Sequence, residues 1–140
     1  MAVTMSAEDL TRFFETDFPR AAEDYAVEAT GEMTARLRFT PVPAHLRPGG
    51  TVSGPAIFAL ADVAFYAALL AQIGPVGLAV TTGASIDFMR KPAPGADLVA
   101  EARVLKLGRR LAQGDVLVFS EGMPDPVARA SMTYSIPPGP

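Results

Sequence analysis

The sequence predicts an α+β protein in which a curved antiparallel β-sheet wraps around one long central helix. Residues 53–73 form an almost uninterrupted apolar run of helical length, and six stretches with the pattern of β-strands flank it, two before and four after. Because apolar side chains cover every face of such a helix, it must be enclosed, and the strands can enclose it. A length of 140 residues suits a single domain spanning 1–140.

The N-terminal segment, residues 1–20, is expected to contain one short amphipathic helix at 6–17. Ser6 can cap its first turn, where acidic residues follow the cap. The apolar residues that fall on one side of this helix are Leu10, Phe13 and Phe14. Phe18-Pro19 then ends the helix.

Two strands are predicted next, at 25–30 and 33–40, with the hairpin-sized gap Gly31-Glu32 between them. In the second strand apolar and polar residues alternate with a period of two, which is typical of a strand with one buried face. The apolar set is Met33, Ala35, Leu37 and Phe39. A loop rich in Pro and Gly leads from this strand to the central helix.

The central helix has clear start and stop signals. Ser53 can accept a hydrogen bond from an early N–H group, Pro55 fits the first turn, and Gly74-Pro75 follows the last apolar residue. An apolar run of this length could also cross a membrane. Against that stand the lack of flanking Lys or Arg and the mid-helix Asp62, which would cost roughly 2.5–3.5 kcal/mol at the centre of a bilayer. We therefore expect a buried helix and no membrane partner.

Four further strands are predicted between the central helix and the end of the chain, at 78–89, 97–107, 111–121 and 127–136. Segments rich in Pro and Gly separate them. The last residues, 137–140, read PPGP and are expected to form a flexible tail.

Composition excludes several classes of function. The absence of cysteine excludes disulfides and thiolate chemistry, and a single histidine, His45, excludes a multi-histidine metal site within one chain. A net charge of −3 gives no reason to expect a nucleic-acid partner. No signal-peptide pattern follows Met1, so we expect a cytoplasmic protein. The 49% hydrophobic content is high for a chain of this size and indicates self-association.

Two sequence segments carry a resemblance to a known family. They are HLRPGGTVSGPAIFALAD at residues 45–62 and TTGASIDFMRKP at residues 81–92. PaaI-like acyl-CoA thioesterases have a similar pattern, His-x-Asn-x-x-Gly-x-x-His-Gly-Gly, then four variable residues and Leu-Ala-Asp, followed by a strand that contains Thr. The sequence resembles this family over about residues 33–136. The resemblance implies the hotdog fold, in which a curved sheet holds a long helix.

The resemblance also implies three catalytic residues. The backbone N–H of Gly54 would polarise a thioester carbonyl at the helix N-terminus, and Asp62 would act as general base or nucleophile. Thr81 stands where the family has a Ser or Thr that orients the attacking water. An alternative for Asp62 is a structural pairing with Arg47 or Tyr66.

The chain departs from the family pattern at three positions. Arg47 replaces an Asn, Ser53 replaces a His, and Pro55 replaces the second Gly, so that residue 55 has no N–H to donate. Arg47 could bind a carboxylate or phosphate. Ser53 is a helix cap beside the substrate, and His45 is expected to be a surface loop residue.

Half of the twelve basic residues lie between positions 90 and 110. Singly such residues are expected to be solvated, but as a cluster beside a catalytic groove they suit the phosphates of coenzyme A. The residues assigned to this role are Arg90, Lys91, Arg109 and Arg110.

Taken with the resemblance, the residues predict an acyl-CoA thioesterase that releases a free acid and coenzyme A and needs no cofactor. One alternative is a non-catalytic acyl-CoA-binding hotdog protein, which the changes at Arg47, Ser53 and Pro55 favour. A second alternative is a hotdog dehydratase, but such an enzyme would need a histidine beside the acid, and no suitable histidine is present. Because a small sheet leaves an open edge, we expect a homodimer or homotetramer with the site at the subunit interface.

Overall fold

The structure is a computed structural model that describes residues 3–139. Met1, Ala2 and Pro140 lie outside the described residues, and residues 137–139 of the expected tail have no regular secondary structure. The helices are α1 (Ala7–Asp17), α2 (Pro19–Asp24) and α3 (Gly54–Ile73). The strands are β1 (Tyr25–Gly31), β2 (Thr34–Phe39), β3 (Val80–Phe88), β4 (Leu98–Leu107), β5 (Leu111–Ser120) and β6 (Pro126–Ser135).

The strands form one antiparallel sheet in the order β1-β2-β4-β5-β6-β3. One face of the sheet packs on α3 and forms the core with it. The alternation in the sequence sets this face, since Ala35, Leu37 and Phe39 of β2 are all buried. The α+β class and the wrapped helix expected from the sequence are therefore confirmed.

Helix α3 begins and ends where its sequence signals lie. The Ser53 Oγ accepts a hydrogen bond from the Ala56 N–H at 3.3 Å, and Gly74 ends the helix with φ of 93°. The helix is long and apolar enough to cross a membrane, but 72% of its most apolar window is buried inside the protein. It is the core helix of this domain.

The N-terminal segment contains two helices, whereas one was expected. Helix α1 has the predicted cap, because the Ser6 Oγ accepts from the Asp9 N–H at 3.1 Å and the Ser6 N–H donates to Asp9 Oδ2 at 3.0 Å. Phe18-Pro19 ends this helix but also starts α2, because Pro19 has a φ suited to a first helical turn and needs no hydrogen-bond acceptor there. The six residues of α2 are too few to show a helical period.

Strand β3 is an edge of the sheet, and side chains on both of its faces are exposed. Val80 is 55% exposed and Phe88 is 52% exposed, although both are large apolar residues. The other edge, β1, contacts the N-terminal segment, where the Thr30 Oγ1 donates to the Met5 carbonyl oxygen at 3.1 Å. The described chain thus leaves one long, partly apolar strand edge uncovered.

Candidate active site

Asp62 lies in α3 and is half-buried beside the inner face of the sheet. Its Oδ1 accepts two hydrogen bonds from hydroxyl groups, one from Thr81 Oγ1 at 2.6 Å and one from the Tyr134 hydroxyl at 2.8 Å. The alternative that paired Asp62 with Arg47 or Tyr66 is wrong, because within residues 3–139 the hydrogen-bonding partners of this carboxylate are these two hydroxyls.

Strand register explains why both hydroxyls reach Asp62. Thr81 of β3 lies directly opposite Tyr134 of β6, so their side chains project from the same face of the sheet. A β-bulge follows at once, between Thr81 and Gly83, which shifts the register and bends the strand. The sheet therefore presents two adjacent hydroxyls to one carboxylate on the helix.

Tyr134 is a site residue that the sequence reasoning missed. A signal was present, because the inward residues of β6 are Ala128, Ala130, Met132 and Tyr134, and only the last carries a hydroxyl. A buried phenol in such a row needs a hydrogen-bonding partner. The identity of that partner depends on the sheet register, which a single strand does not reveal.

The surrounding phenols stay protonated as hydrogen-bond donors. Burial raises the pKa of Tyr134 well above its usual value, and the nearby Asp62 carboxylate raises it further. Burial also raises the pKa of Tyr25 to about 12, with smaller contributions from Asp24 and Asp62. Burial and the nearby negative charge therefore keep both phenols protonated, and Tyr134 donates its proton to Asp62 in a hydrogen bond.

Asp62 forms part of the wall of two cavities. The first has a volume of about 660 Å³ and is lined by aromatic and aliphatic residues together with Asp17, Thr81 and Tyr134. The second, of about 560 Å³, is lined by apolar residues and by the polar or charged side chains of Arg20, Asp24, Tyr25 and His45. Because Asp62 and Phe18 line both, the carboxylate lies between two spaces whose walls combine apolar residues with polar and charged side chains.

A third cavity, of about 410 Å³, lies at the N-terminus of α3. It contains Gly54 together with three cationic side chains, Arg47, Arg90 and Lys91. Arg90 is held there by a hydrogen bond to the carbonyl oxygen of Pro126. The early N–H groups of a helix and three cations make this cavity suited to an anionic ligand.

Gly54 and Asp62 cannot act together on one substrate within a single chain. Asp62 follows Gly54 by eight residues in an unbroken helix, which separates them by about 12 Å along the axis. Gly54 would have to hold the carbonyl oxygen and Asp62 would have to attack the carbonyl carbon, and these two atoms are bonded to each other, so both residues must be close to one carbonyl group. The helix places the two predicted catalytic groups in different cavities of the same chain.

The four predicted phosphate-binding residues do not form one cluster. Arg90 and Lys91 follow the Phe88 end of β3, whereas Arg109 and Arg110 lie between β4 and β5. The Arg110 carbonyl oxygen accepts from the Ile136 N–H at 2.8 Å, beyond the end of β6 that pairs with the start of β3. The two pairs therefore lie at opposite ends of the sheet, about 30 Å apart given the ten-residue length of β4.

His45 and Ser53 have structural contacts in the loop before α3. The His45 Nδ1 accepts from the Val42 N–H at 3.0 Å, and its carbonyl oxygen accepts from the Ser53 N–H at 2.9 Å. The ring also packs on Phe39 with centroids 4.7 Å apart. His45 is thus half-buried rather than a surface residue, and its contacts fix the shape of the loop that ends at Gly54.

The fold and the carboxylate on its central helix can now be compared with known proteins. The family model described as the thioesterase superfamily matches residues 49–127, and the chain belongs to this superfamily. No curated protein sequence matches the chain.

Three solved structures are similar to the chain. A proposed thioesterase from Silicibacter sp. TM1040 is 52% identical, with a TM-score of 0.91 over 99% of this chain and 96% of that one. A mutant of the phenylacetic acid degradation protein PaaI from Thermus thermophilus is 30% identical, with a TM-score of 0.73 over 85% of this chain and 99% of that one. A hypothetical thioesterase from Streptococcus pneumoniae, solved with coenzyme A, is 20% identical, with a TM-score of 0.76 over 91% and 97%. The hotdog fold and the PaaI-like family expected from the sequence are confirmed, and the matches support a thioesterase-type function.

Proposed function

We propose that this protein is an acyl-CoA thioesterase, which hydrolyses an acyl-CoA thioester to a free acid and coenzyme A. The observation that carries this proposal is the Asp62 carboxylate, held by two hydroxyls at the wall of a cavity with aromatic side chains. The cationic cavity at Gly54 suits the phosphates of the carrier. The Streptococcus pneumoniae protein was solved with coenzyme A, which supports the same carrier.

In the proposed reaction, the Gly54 N–H donates to the thioester carbonyl oxygen and stabilises the negative charge that develops there. Asp62 accepts a proton from water while the water oxygen bonds to the carbonyl carbon. Collapse of the tetrahedral intermediate breaks the C–S bond, and the proton on Asp62 passes to the leaving thiolate. Alternatively, Asp62 itself attacks the carbonyl, and water then hydrolyses the resulting anhydride.

A homodimer formed through β3 would bring Gly54 and Asp62 together. Phe88, at one end of β3, lies beside Gly54, and Thr81, near the other end, bonds to Asp62. Antiparallel pairing of β3 with its copy about a two-fold axis sets the Phe88 end of one strand beside the Thr81 end of the other. Gly54 of one chain then approaches the partner's Asp62.

The same pairing would assemble the basic residues. Arg90 and Lys91 of one chain lie at the Phe88 end of β3, and Arg109 and Arg110 of the partner lie near the opposite end of its own β3. Two-fold pairing sets these ends side by side, so both pairs can face one coenzyme A. A homotetramer and a cytoplasmic location, also expected from the sequence, stay predictions.

The acyl group would occupy the space around Asp62. The 660 Å³ cavity beside it has aromatic walls from α1, the segment that joins α1 to α2, and α3. Its other ionisable carboxylate is Asp17, and no Lys or Arg is among its described lining residues. Such a cavity favours an uncharged, apolar acyl group, because two carboxylates repel an anionic one.

Thiol release from a panel of acyl-CoAs tests the proposal. We expect hydrolysis by the parent protein and a loss of kcat of roughly 10²–10⁴-fold in Asp62→Asn, because the base is removed while the shape is kept. Asp115→Asn is the matched control, since Asp115 pairs with Arg103 at 3.3 Å on another part of the sheet. Retained binding of a non-hydrolysable acyl-CoA thioether with no thiol release by the parent would favour the non-catalytic binding protein instead.

A further inference from the structure

We propose that Tyr134 is a positioning residue for Asp62: together with Thr81 it holds Oδ1, so that Oδ2 is the oxygen that meets the reacting carbonyl or its water. This inference rests on the proposed role of Asp62. Tyr134 lies 72 residues from Asp62 in the sequence and outside residues 49–127, the segment that the superfamily model matches.

The two hydroxyls bind one carboxylate oxygen of Asp62 and leave the other free of donors within the described part of the chain. Thr81 and Tyr134 both donate to Oδ1, at 2.6 and 2.8 Å, and among residues 3–139 nothing donates to Oδ2. Two donors on one oxygen, supplied by neighbouring strands, oppose rotation of the carboxylate about its Cβ–Cγ bond. Oδ2 therefore remains available for chemistry in a fixed direction.

Tyr134 is rigid enough for this role. It is 3% exposed, and its ring lies 5.4 Å from the Phe65 ring and 6.1 Å from the Tyr66 ring, centroid to centroid. Its backbone pairs with Thr81 on one side and Ala112 on the other. The hydroxyl also lies 3.0 Å from the Asp62 carbonyl oxygen, so it contacts both the helix backbone and the side chain of the same residue.

A donor to a carboxylate also stabilises its charged form. Loss of the Tyr134 hydroxyl should therefore make Asp62 easier to protonate and less available as a base at acidic pH. The other ionisable side chains that line the two cavities beside Asp62 are Asp17, Arg20, Asp24, Tyr25, His45 and Tyr66. None of them changes in Tyr134→Phe, so a change in pH dependence can be assigned to the lost hydroxyl.

The test compares Tyr134→Phe with Tyr66→Phe. Tyr134→Phe keeps the ring and removes the hydroxyl, and we expect kcat to fall roughly 10–100-fold, with KM little changed. The acid limb of the kcat profile should move to higher pH. Tyr66→Phe removes a phenol that donates to the Gly77 carbonyl oxygen at 3.0 Å, so it should leave the acid limb where it is in the parent. A Tyr134→Phe protein with the parent's kcat and acid limb would overturn the proposal.

A second measurement does not depend on catalysis. In protein labelled with carbon-13 at the aspartate carboxyl, the titration midpoint of the Asp62 signal should rise in Tyr134→Phe and stay in place in Tyr66→Phe. An unchanged midpoint overturns the positioning role even if thioesters are hydrolysed. A raised midpoint in a protein that hydrolyses no thioester supports the contact and refutes the proposed function.

A third variant covers the possibility that Tyr134→Phe does not fold. Thr81→Val removes the other donor to Oδ1 at a half-buried position. Because both hydroxyls act on the same oxygen, Thr81→Val should move the Asp62 midpoint and the acid limb in the same direction. If it moves neither, Oδ1 is not held as proposed.

Discussion

The ring of Phe88 lies beside Gly54, at the junction of the central helix and the edge strand. A β-carbon at Gly54 would lie 3.3 Å from Cζ of the Phe88 ring, which is tight but within the reach of a small ring movement. The contact links the helix N-terminus, where an oxyanion can be held, to the end of the strand through which we propose dimerisation. Two substitutions at residue 54 can distinguish the effect of losing the backbone N–H from the effect of crowding the Phe88 ring.

We expect Gly54→Pro to lower kcat by roughly 10²–10³-fold relative to Gly54→Ala, because the N–H that would hold the oxyanion is missing only in the proline variant. Both variants add the same β-carbon beside Phe88. Proline is tolerated at the first position of a helix, and Ser53 already has the extended backbone, φ −72° and ψ 154°, that a residue before proline adopts. Thiol release measures kcat, and equal values for the two variants would show that this N–H holds no oxyanion.

Mixing two inactive variants should restore activity. In a dimer of one Asp62→Asn chain and one Gly54→Pro chain, one site combines an intact Gly54 with an intact Asp62. Random pairing makes half of the dimers mixed, with one of two sites intact, so the expected activity is roughly a quarter of the parent's. The two chains are refolded together and assayed against each variant alone. If both groups act within one chain, the mixture remains as inactive as its components.

Neutralising the basic residues should raise KM and leave kcat nearly unchanged, because contacts with the phosphates are the same in the ground and transition states. Replacing Arg90 and Lys91 with Gln should raise KM roughly 5–30-fold, and so should replacing Arg109 and Arg110. The effect should shrink at high salt. Arg12→Gln is the control, since Arg12 is exposed on α1 and bonds to Asp9 at 2.6 Å. An unchanged KM in both double variants would exclude these residues from coenzyme A binding.

Phe18→Ala should shift acyl preference towards bulkier groups. Phe18 lines both cavities beside Asp62, and its ring packs edge-on to Tyr66 with centroids 5.9 Å apart. Removing it enlarges the acyl space, so the ratio of kcat/KM for a large over a small acyl group should rise roughly 10-fold. Phe119→Ala is the matched control, because Phe119 is also half-buried but lines a different cavity, with Glu101 and Glu121. The same acyl profile in both variants would place the acyl group elsewhere.

The sequence predicted the main elements because their signals are local. Period-two alternation located β2 and its neighbours to within about two residues, and Ser53 with Gly74-Pro75 bounded the central helix. Helix α2 was missed since six residues after a proline show no periodicity. The family resemblance assigned Asp62 and Thr81 to one catalytic site, but the direct hydrogen bond between them was not predicted and is seen only in the structure.

What the sequence could not predict depends on contacts between distant residues. Tyr134 reaches Asp62 only through the pairing of β3 with β6, which no single strand encodes. The basic residues between 90 and 110 are close in sequence, but β4 carries the chain to the other end of the sheet before Arg109. Strand β4 therefore separates in space basic residues that are close together in the sequence.

The uncovered edge of β3 has a kinetic consequence under the proposed assembly. When a complete site needs two chains, a monomer is inert, and turnover depends on the population of dimers. Below the dissociation constant of the dimer, that population grows with the square of the chain concentration. Specific activity would then decline steadily as the enzyme is diluted, and saturating acyl-CoA, which bridges the two chains, would slow that decline.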